Sequence, residues 1–339
     1  LTIDYNLSLY LKQPIKKLKP EVLIVLRLGA YQLLFMDKIP VSAAINESVN
    51  LIKANRASFA SGLVNAVLRN ISRNGLKLPS ENDKDYLSVK YSCPQWLIDL
   101  WVESYGRENT EKILRHSLGE VPVYIRVNTT KMNADELIEA LKNEGVTAER
   151  CENISDALVL RKQGSVEKLE SFRNGLFHVQ DLSSQLCSIS LDAKESDSVL
   201  DVCSAPGGKT FTICECMNDS GNVTACDIYP SRVKLIEDGA ERLGLSSITA
   251  KVSDASVFNE SFYQFDKVLC DVPCSGLGVI RRKPEIKYKN YEEFERLPDI
   301  QYKILENASK SVRQVTGHLP ASVFLNLYPS AIYQAFPVP

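Results

Sequence analysis

Two stretches of the 339-residue chain combine residue types and spacings suited to chemistry. In Asp271-Val-Pro-Cys-Ser-Gly-Leu-Gly-Val-Ile-Arg-Arg-Lys-Pro284, a Pro-Cys turn follows an apolar run and exposes the Cys274 thiol at a strand end. Arg281, Arg282 and Lys283 are expected to lower the pKa of that thiol and to meet phosphates. Such a thiolate suits methylation at C5 of a pyrimidine, a carbon too weakly nucleophilic to take a methyl group unaided. Sulfur adds to C6 and makes C5 enamine-like; C5 takes the methyl group, loses its proton, and the thiolate is expelled. Asp271, if protonated, would donate a hydrogen bond to N3 and stabilise the adduct. The plain alternative for Cys274 is a small buried thiol.

The methyl donor needs a site, and Asp201-Val-Cys-Ser-Ala-Pro-Gly-Gly-Lys-Thr210 supplies one. Val199, Leu200 and Val202 read as a buried parallel strand, and a helix pattern begins near Lys209. The turn Ser204, Ala205, Pro206, Gly207, Gly208 between them presents backbone N–H groups to a nucleotide-like ligand. The dinucleotide fingerprint needs three glycines and finds two, and the phosphate loop needs glycine where Cys203 stands. S-adenosylmethionine is the donor that fits what survives; an ordinary βα turn is the bland alternative. Asp227 lies 19 residues after Gly208, a spacing that suits the ribose hydroxyls of an adenosine. Asp254 ends the next strand, where it could meet the adenine amino group. Either aspartate alone is as well explained by a helix N-cap or a loop; together with Asp271 they form a constellation.

To bring these groups together the chain must build an open parallel sheet. From Asp181 onward the pattern alternates regularly: helix 182–191, a strand to Asp201, strand 223–226, helix 231–243 closed by Gly244, strand 248–252 and strand 267–270. Four strands thus deliver carboxylates to one edge. Upstream, residues 1–78 are helical in pattern, with 21–38 apolar enough to be buried on most sides and Ser42 placed to cap the following helix. Lys12, Lys16, Lys17, Lys19, Arg56, Arg69 and Arg73 could touch RNA phosphates, although a solvated face explains each singly. Residues 79–120 read as a helical linker region, with Pro94 opening a helix, Gly106 closing it, and Trp96 and Trp101 packing in the core. Residues 121–180 read as a small α+β module with strands at 121–127 and 157–160 and a capping box at Asn133 and Glu136. A Rossmann-like domain follows over 181–310, and 311–339 shows no pattern fit to complete a parallel sheet.

Composition is that of a globular protein, with 44% hydrophobic and 24% charged residues. A net charge of −2 means that any nucleic-acid contact rests on local patches. The nine cysteines form no disulfide framework, which suits a reducing cytoplasm. Cys214 and Cys216 lack the partners of a zinc site, so no metal is expected. No membrane segment or signal peptide is expected either. The chain opens at Leu1 inside apolar-patterned sequence, as a fragment missing its start would.

Asp201–Thr210 and Asp271–Pro284 resemble two core motifs of the Sun-type (NOL/NOP/Sun) RNA cytosine-5 methyltransferases, and within them the RsmB-type branch acting on bacterial 16S rRNA. Cys226-Asp-Ile-Tyr-Pro-Ser-Arg232 resembles its ribose-binding turn and Ser253-Asp-Ala255 its adenine-side turn. The helical region resembles the NusB-like RNA-binding domain of that branch, and the likeness runs from Leu1 to about Lys310. The resemblance implies donor contacts from Cys203, Ser204, Ala205, Pro206, Gly207, Gly208, Lys209, Asp227, Asp254 and Asp271, with 16S rRNA as substrate and a monomeric enzyme. It also implies that the attacking thiol belongs to a later Thr-Cys motif just beyond the fifth strand, and that Cys274 helps release the product.

That motif is absent. The family continues with Pro-Gly-Gly, a strand and Ser-Thr-Cys, whereas this chain reads Ser311-Val-Arg-Gln-Val-Thr-Gly-His-Leu-Pro320 and has no cysteine after Cys274. A frameshift or an assembly error in the encoding DNA beyond Lys310 is the expected cause, and a chain that binds donor but transfers little or no methyl group the expected consequence. A non-catalytic RNA-binding or assembly factor that keeps the pocket is the alternative. A dehydrogenase is disfavoured by the glycine pattern.

Overall fold

The computed structural model describes residues 1–161 and 164–313, together with the backbone of 322–325. The chain forms two compact units, residues 1–120 with 279–288, and residues 121–278 with 289–339.

The first unit is helical: α1 (Thr2–Ser8), α2 (Pro20–Phe35), α3 (Val41–Ala54), α4 (Ser61–Asn74), α5 (Tyr86–Tyr91) and α6 (Gln95–Ser117). Leu7, Leu26, Ile52, Val64, Leu68 and Ile71 are fully buried in one cluster; each such side chain contributes roughly 1.5–3 kcal/mol. Helix α2 departs from the expectation of burial on most sides. It buries Val22, Val25, Leu26 and Ala30, while Ile24, Leu28, Tyr31 and Phe35 on its other face stay exposed. Apolar composition reports how much surface could be buried, but not how many neighbours arrive to bury it. Ser42 does not cap α3, which starts one residue earlier after Pro40. Pro94 does open α6, and Gly106 breaks it at φ 75° before helix resumes to Ser117.

The second unit holds two sheets. β1 (Val123–Val127), β2 (Thr147–Cys151), β3 (Ile154–Arg161) and β4 (Phe177–Val179) form an antiparallel sheet in the order β2-β3-β1-β4. Helix α7 (Ala134–Asn143) packs on it, opened by the expected capping box: Asn133 accepts from the Glu136 N–H and Glu136 from the Asn133 N–H. β2 and β4 escape the sequence pattern, because β2 alternates weakly and β4 is three residues long. After α8 (Glu170–Arg173) and α9 (Leu182–Ser190) come β5 (Ser198–Asp201), α10 (Gly208–Cys216), β6 (Asn222–Asp227), α11 (Pro230–Leu243), β7 (Ile248–Val252) and β8 (Lys267–Cys270). The short α12 (Glu292–Glu295) and α13 (Leu297–Lys310) precede β9 (Ser322–Leu325).

The larger sheet is wholly parallel in the order β7-β6-β5-β8-β9. One face packs Val199, Ala225 and Leu269 against α9, α10 and α11; the other packs Leu200, Cys226, Val268 and Cys270 against Ile304 and Ala308 of α13. Burial on both faces is why these strands read as short apolar runs. β9 overturns the reading of 311–339 as unable to complete the sheet: its backbone pairs in register from Lys267↔Ser322 to Cys270↔Leu325. Four residues suffice when a strand edge with free N–H and C=O groups is waiting.

Candidate functional site

Strand order reverses between β5 and β8: the chain runs outward through β6 and β7, then returns to the other side of β5. In open parallel sheets such a switch point opens a crevice at the carboxyl ends. Asp201, Asp227 and Asp271 stand at the ends of β5, β6 and β8, and Asp254 two residues after β7.

The loop between β5 and α10 is held on three sides. Ser204 donates from N–H and Oγ to the Cys226 carbonyl at 2.8 and 2.9 Å, which ties the loop to β6. Thr210 Oγ1 donates to Asp201 Oδ2 at 2.8 Å, fixing the first turn of α10 to the end of β5. Arg232 of α11 donates to the Ala205 carbonyl at 2.8 Å and reaches Asp227 Oδ2 at 3.3 Å. Gly207 has φ 110°, and a Cβ there would lie 2.3 Å from the Phe211 ring. Only glycine serves at that turn.

The carboxylates differ in environment. Asp201 is fully buried, and burial pushes its pKa up to about 7 against the pull of the Thr210 hydroxyl. Asp227 is almost fully buried and accepts from the Tyr229 N–H at 3.1 Å. Asp254 is exposed, and its Oδ1 accepts from the Ser256 N–H at 2.8 Å. Asp271 Oδ2 accepts from Lys209 Nζ at 2.6 Å. Burial alone would lower the Lys209 pKa, but the Asp271 carboxylate outweighs it and the net shift is upward. In this arrangement Asp271 is an acceptor, and the acid role read from the sequence requires that ion pair to open.

Among the nine cysteines only Cys216 and Cys274 are exposed. Burial raises the Cys203 thiol well above its ordinary range and pushes Cys226 and Cys270 up to about 12, which leaves them inert. Cys274 follows Pro273, whose carbonyl accepts from Gln301 Nε2 of α13 at 2.7 Å, so the turn carrying the thiol is anchored. Arg281 belongs to the helical unit, where its Nε donates to the Gly119 carbonyl at 3.4 Å. No metal-ligand cluster occurs among the described residues.

This donor set fits an adenosyl ligand: helix N–H groups behind a glycine turn, a rigid carboxylate for a diol, and an exposed carboxylate for an amino group. The comparisons agree with the geometry. Residues 188–320 match the model of the 16S rRNA methyltransferase RsmB/F family, residues 1–73 that of the NusB family, and residues 93–167 the ferredoxin-like domain of RsmF/B-like methyltransferases. A probable ribosomal RNA small subunit methyltransferase B of Bacillus subtilis is 40% identical over 321 residues, covering 93% of this chain and 71% of its own.

The chain belongs to the RsmB/F family of 16S rRNA methyltransferases.

A relative with the same description from Synechocystis is 32% identical, covering 85% of this chain and 66% of its own. The solved structure of PH0851 superposes with a TM-score of 0.77 at 28% identity, covering 92% of this chain and 71% of that one. Membership makes S-adenosyl-L-methionine the cofactor and methyl transfer the chemistry. No helix among the described residues is long and apolar enough to cross a membrane.

Sequence reading located each aspartate of this edge but missed Arg232, Thr210 and Gln301 as the groups that hold it. Each lies on a helix at a position that looks like ordinary surface or helix-start sequence. Only the packing of α10, α11 and α13 against the sheet brings them to the loops.

Proposed function

We propose that the chain carries the RNA-binding and donor-binding parts of an enzyme that forms 5-methylcytosine in 16S rRNA. The observation that carries this reading is the switch-point edge, where Asp201, Asp227, Asp254 and Asp271 stand at or just beyond the carboxyl ends of β5, β6, β7 and β8 and the Cys203–Lys209 loop leaves β5. S-adenosyl-L-methionine, when bound, supplies an electrophilic methyl group. Asp227 would hold its ribose diol and Asp254 its adenine amino group, while Cys203, Ser204, Ala205, Pro206, Gly207, Gly208 and Lys209 would line the rest. Asp271 would face N3 of the pyrimidine ring, and Cys274 acts in product release. Residues 1–78 and 121–180 bind RNA, 79–120 connect them, 181–310 bind the donor, and the protein works as a monomer in the cytoplasm. The target cytosine reaches the edge unpaired or flipped out.

We further propose that this chain lacks the attacking thiol. β9 is the fifth strand of the sheet, and the residues after it are Asn326-Leu-Tyr-Pro329 rather than Thr-Cys. The codons AAC-CTG-TAY, one set that encodes Asn326-Leu-Tyr328, read ACC-TGT (Thr-Cys) when begun one base later. Sequencing the gene tests this, and codons that give Thr-Cys in neither alternative frame would sink the frameshift. Calorimetry should detect S-adenosylmethionine binding, with little methyl label entering 16S rRNA. Robust labelling abolished by Cys274→Ser would instead make Cys274 the nucleophile. Donor binding with no transfer, and an intact reading frame, would favour the RNA-binding or assembly factor.

A further inference from the structure

Behind the donor loop, α10 meets the small sheet through polar groups that the reaction does not use. Arg126 of β1 is 2% exposed, and its Nε donates to Glu215 Oε2 of α10 at 2.8 Å. Glu215 Oε1 lies 3.3 Å from Nδ1 of His178 on β4, a ring that is also buried. His178 Nε2 is 3.3 Å from Oε1 of Gln180, and Thr212 Oγ1 of α10 lies 2.6 Å from the same oxygen. Thr212 Oγ1 is also 3.0 Å from the Gly208 carbonyl, in the first turn of α10. With the Gln180 amide in this orientation, Gln180 Nε2, His178 Nδ1 and Glu215 Oε1 are all buried without a hydrogen bond.

These orphans, with Arg126 Nη1 a fourth in the same cluster, are costly, because each buried polar group left unpaired loses on the order of 1–3 kcal/mol. Turning the amide by half a revolution sets the Gln180 NH2 against two acceptors and moves its oxygen to the unpartnered place, a trade that lets His178 carry a proton on Nδ1 facing Glu215 Oε1. The Gln180 NH2 then donates to Thr212 Oγ1 and to His178 Nε2. The Thr212 hydroxyl donates to the Gly208 carbonyl. His178, neutral with its proton on Nδ1, points that proton at Glu215 Oε1, whose other oxygen takes the Arg126 guanidinium.

We propose that this relay, Arg126–Glu215–His178–Gln180–Thr212, positions the first turn of α10 from the small sheet and so sets the donor loop. These are positioning residues; none touches the donor or the base. The relay makes the RNA-module sheet the rear support of the donor site, and the inference rests on the donor-site reading above.

Two measurements test it. In 15N-histidine spectra His178 should show the neutral Nδ1–H tautomer, the His178 signal being assigned by its loss in His178→Gln. An Nε2–H tautomer would overturn the relay. Second, Arg126→Met combined with Glu215→Leu replaces the ion pair by an apolar pair of similar size, a change that leaves buried sites folded. The folded double variant should bind S-adenosylmethionine about three- to thirtyfold more weakly and lose amide-exchange protection at 208–212. Unchanged affinity and protection in a folded variant would overturn the proposal. If the folded double variant fails to form, Gln180→Leu serves in its place under the same readings. Wild-type chain that binds no donor sinks the donor site itself, which keeps the two failures distinct.

Discussion

At the start of α10, Asp201 is buried with a hydroxyl and one backbone N–H as its partners; at the end of the same helix, Glu215 is buried against a guanidinium. The first arrangement lets the carboxyl approach neutrality near pH 7. The second binds two opposite charges into one unit across β1 and α10. A carboxylate removed from water is tolerated either by taking a proton or by taking a cation, and here the first borders the reactive edge while the second fastens two layers together.

The sharpest way to break the comparison is at its strong end. Glu215→Ala leaves the buried Arg126 guanidinium with Asp156 Oδ2, at 3.6 Å, as its remaining carboxylate, and should cost up to about 3–5 kcal/mol in urea unfolding. A loss below about 1 kcal/mol would mean that Asp156 or water compensates Arg126 and that the Glu215 pair is not a fastener.

At the weak end the effect is pH dependence. Below pH 3.8, the ordinary value, Asp201 is protonated folded and unfolded alike. Between there and about 7 the unfolded chain has released the proton while the folded chain keeps it. The unfolded state then binds fewer protons, so stability falls as pH rises, by up to about 1.4 kcal/mol per pH unit, and levels off above 7. Asp201→Asn should flatten that slope; an unchanged slope in denaturation at successive pH values would assign it to another group.

Smaller changes probe the loop between the two ends. Gly207→Ala forces a side chain into φ 110° and against Phe211, and should lose about 1–3 kcal/mol together with donor affinity. Retained affinity would show that the turn can shift without moving the donor contacts. Arg232→Ala frees Asp227 and the Ala205 carbonyl, and calorimetry should read a donor-affinity loss of about 0.5–1.5 kcal/mol with little change in unfolding. No loss would mean that the Tyr229 N–H alone orients Asp227.

The edge proposed for the donor was legible as a place in the fold because its residues are local: the Gly207-Gly208 turn sits between a strand run and a helix, and each aspartate stands at or just beyond the end of its own apolar run. β7 and β8 fall where the pattern puts them, over 248–252 and 267–270. The relay behind α10 was not legible. Arg126 alternates with Ile125 and Val127, so period two assigns it to the solvent face of a strand, and nothing local says that α10 covers that face. The same blindness applied to α2, whose apolar residues outnumber the neighbours that bury them, and to β9, whose pairing depends on the open edge of β8.

Sequence alone determined which groups stand at the carboxyl ends of these strands, because residue identity and the apolar runs fix what each strand delivers there. Tertiary structure alone decided how those groups are held. Arg126 and Glu215, 89 positions apart, become partners only when two sheets close on one helix, and charge in the interior depends on that closure rather than on any short-range pattern.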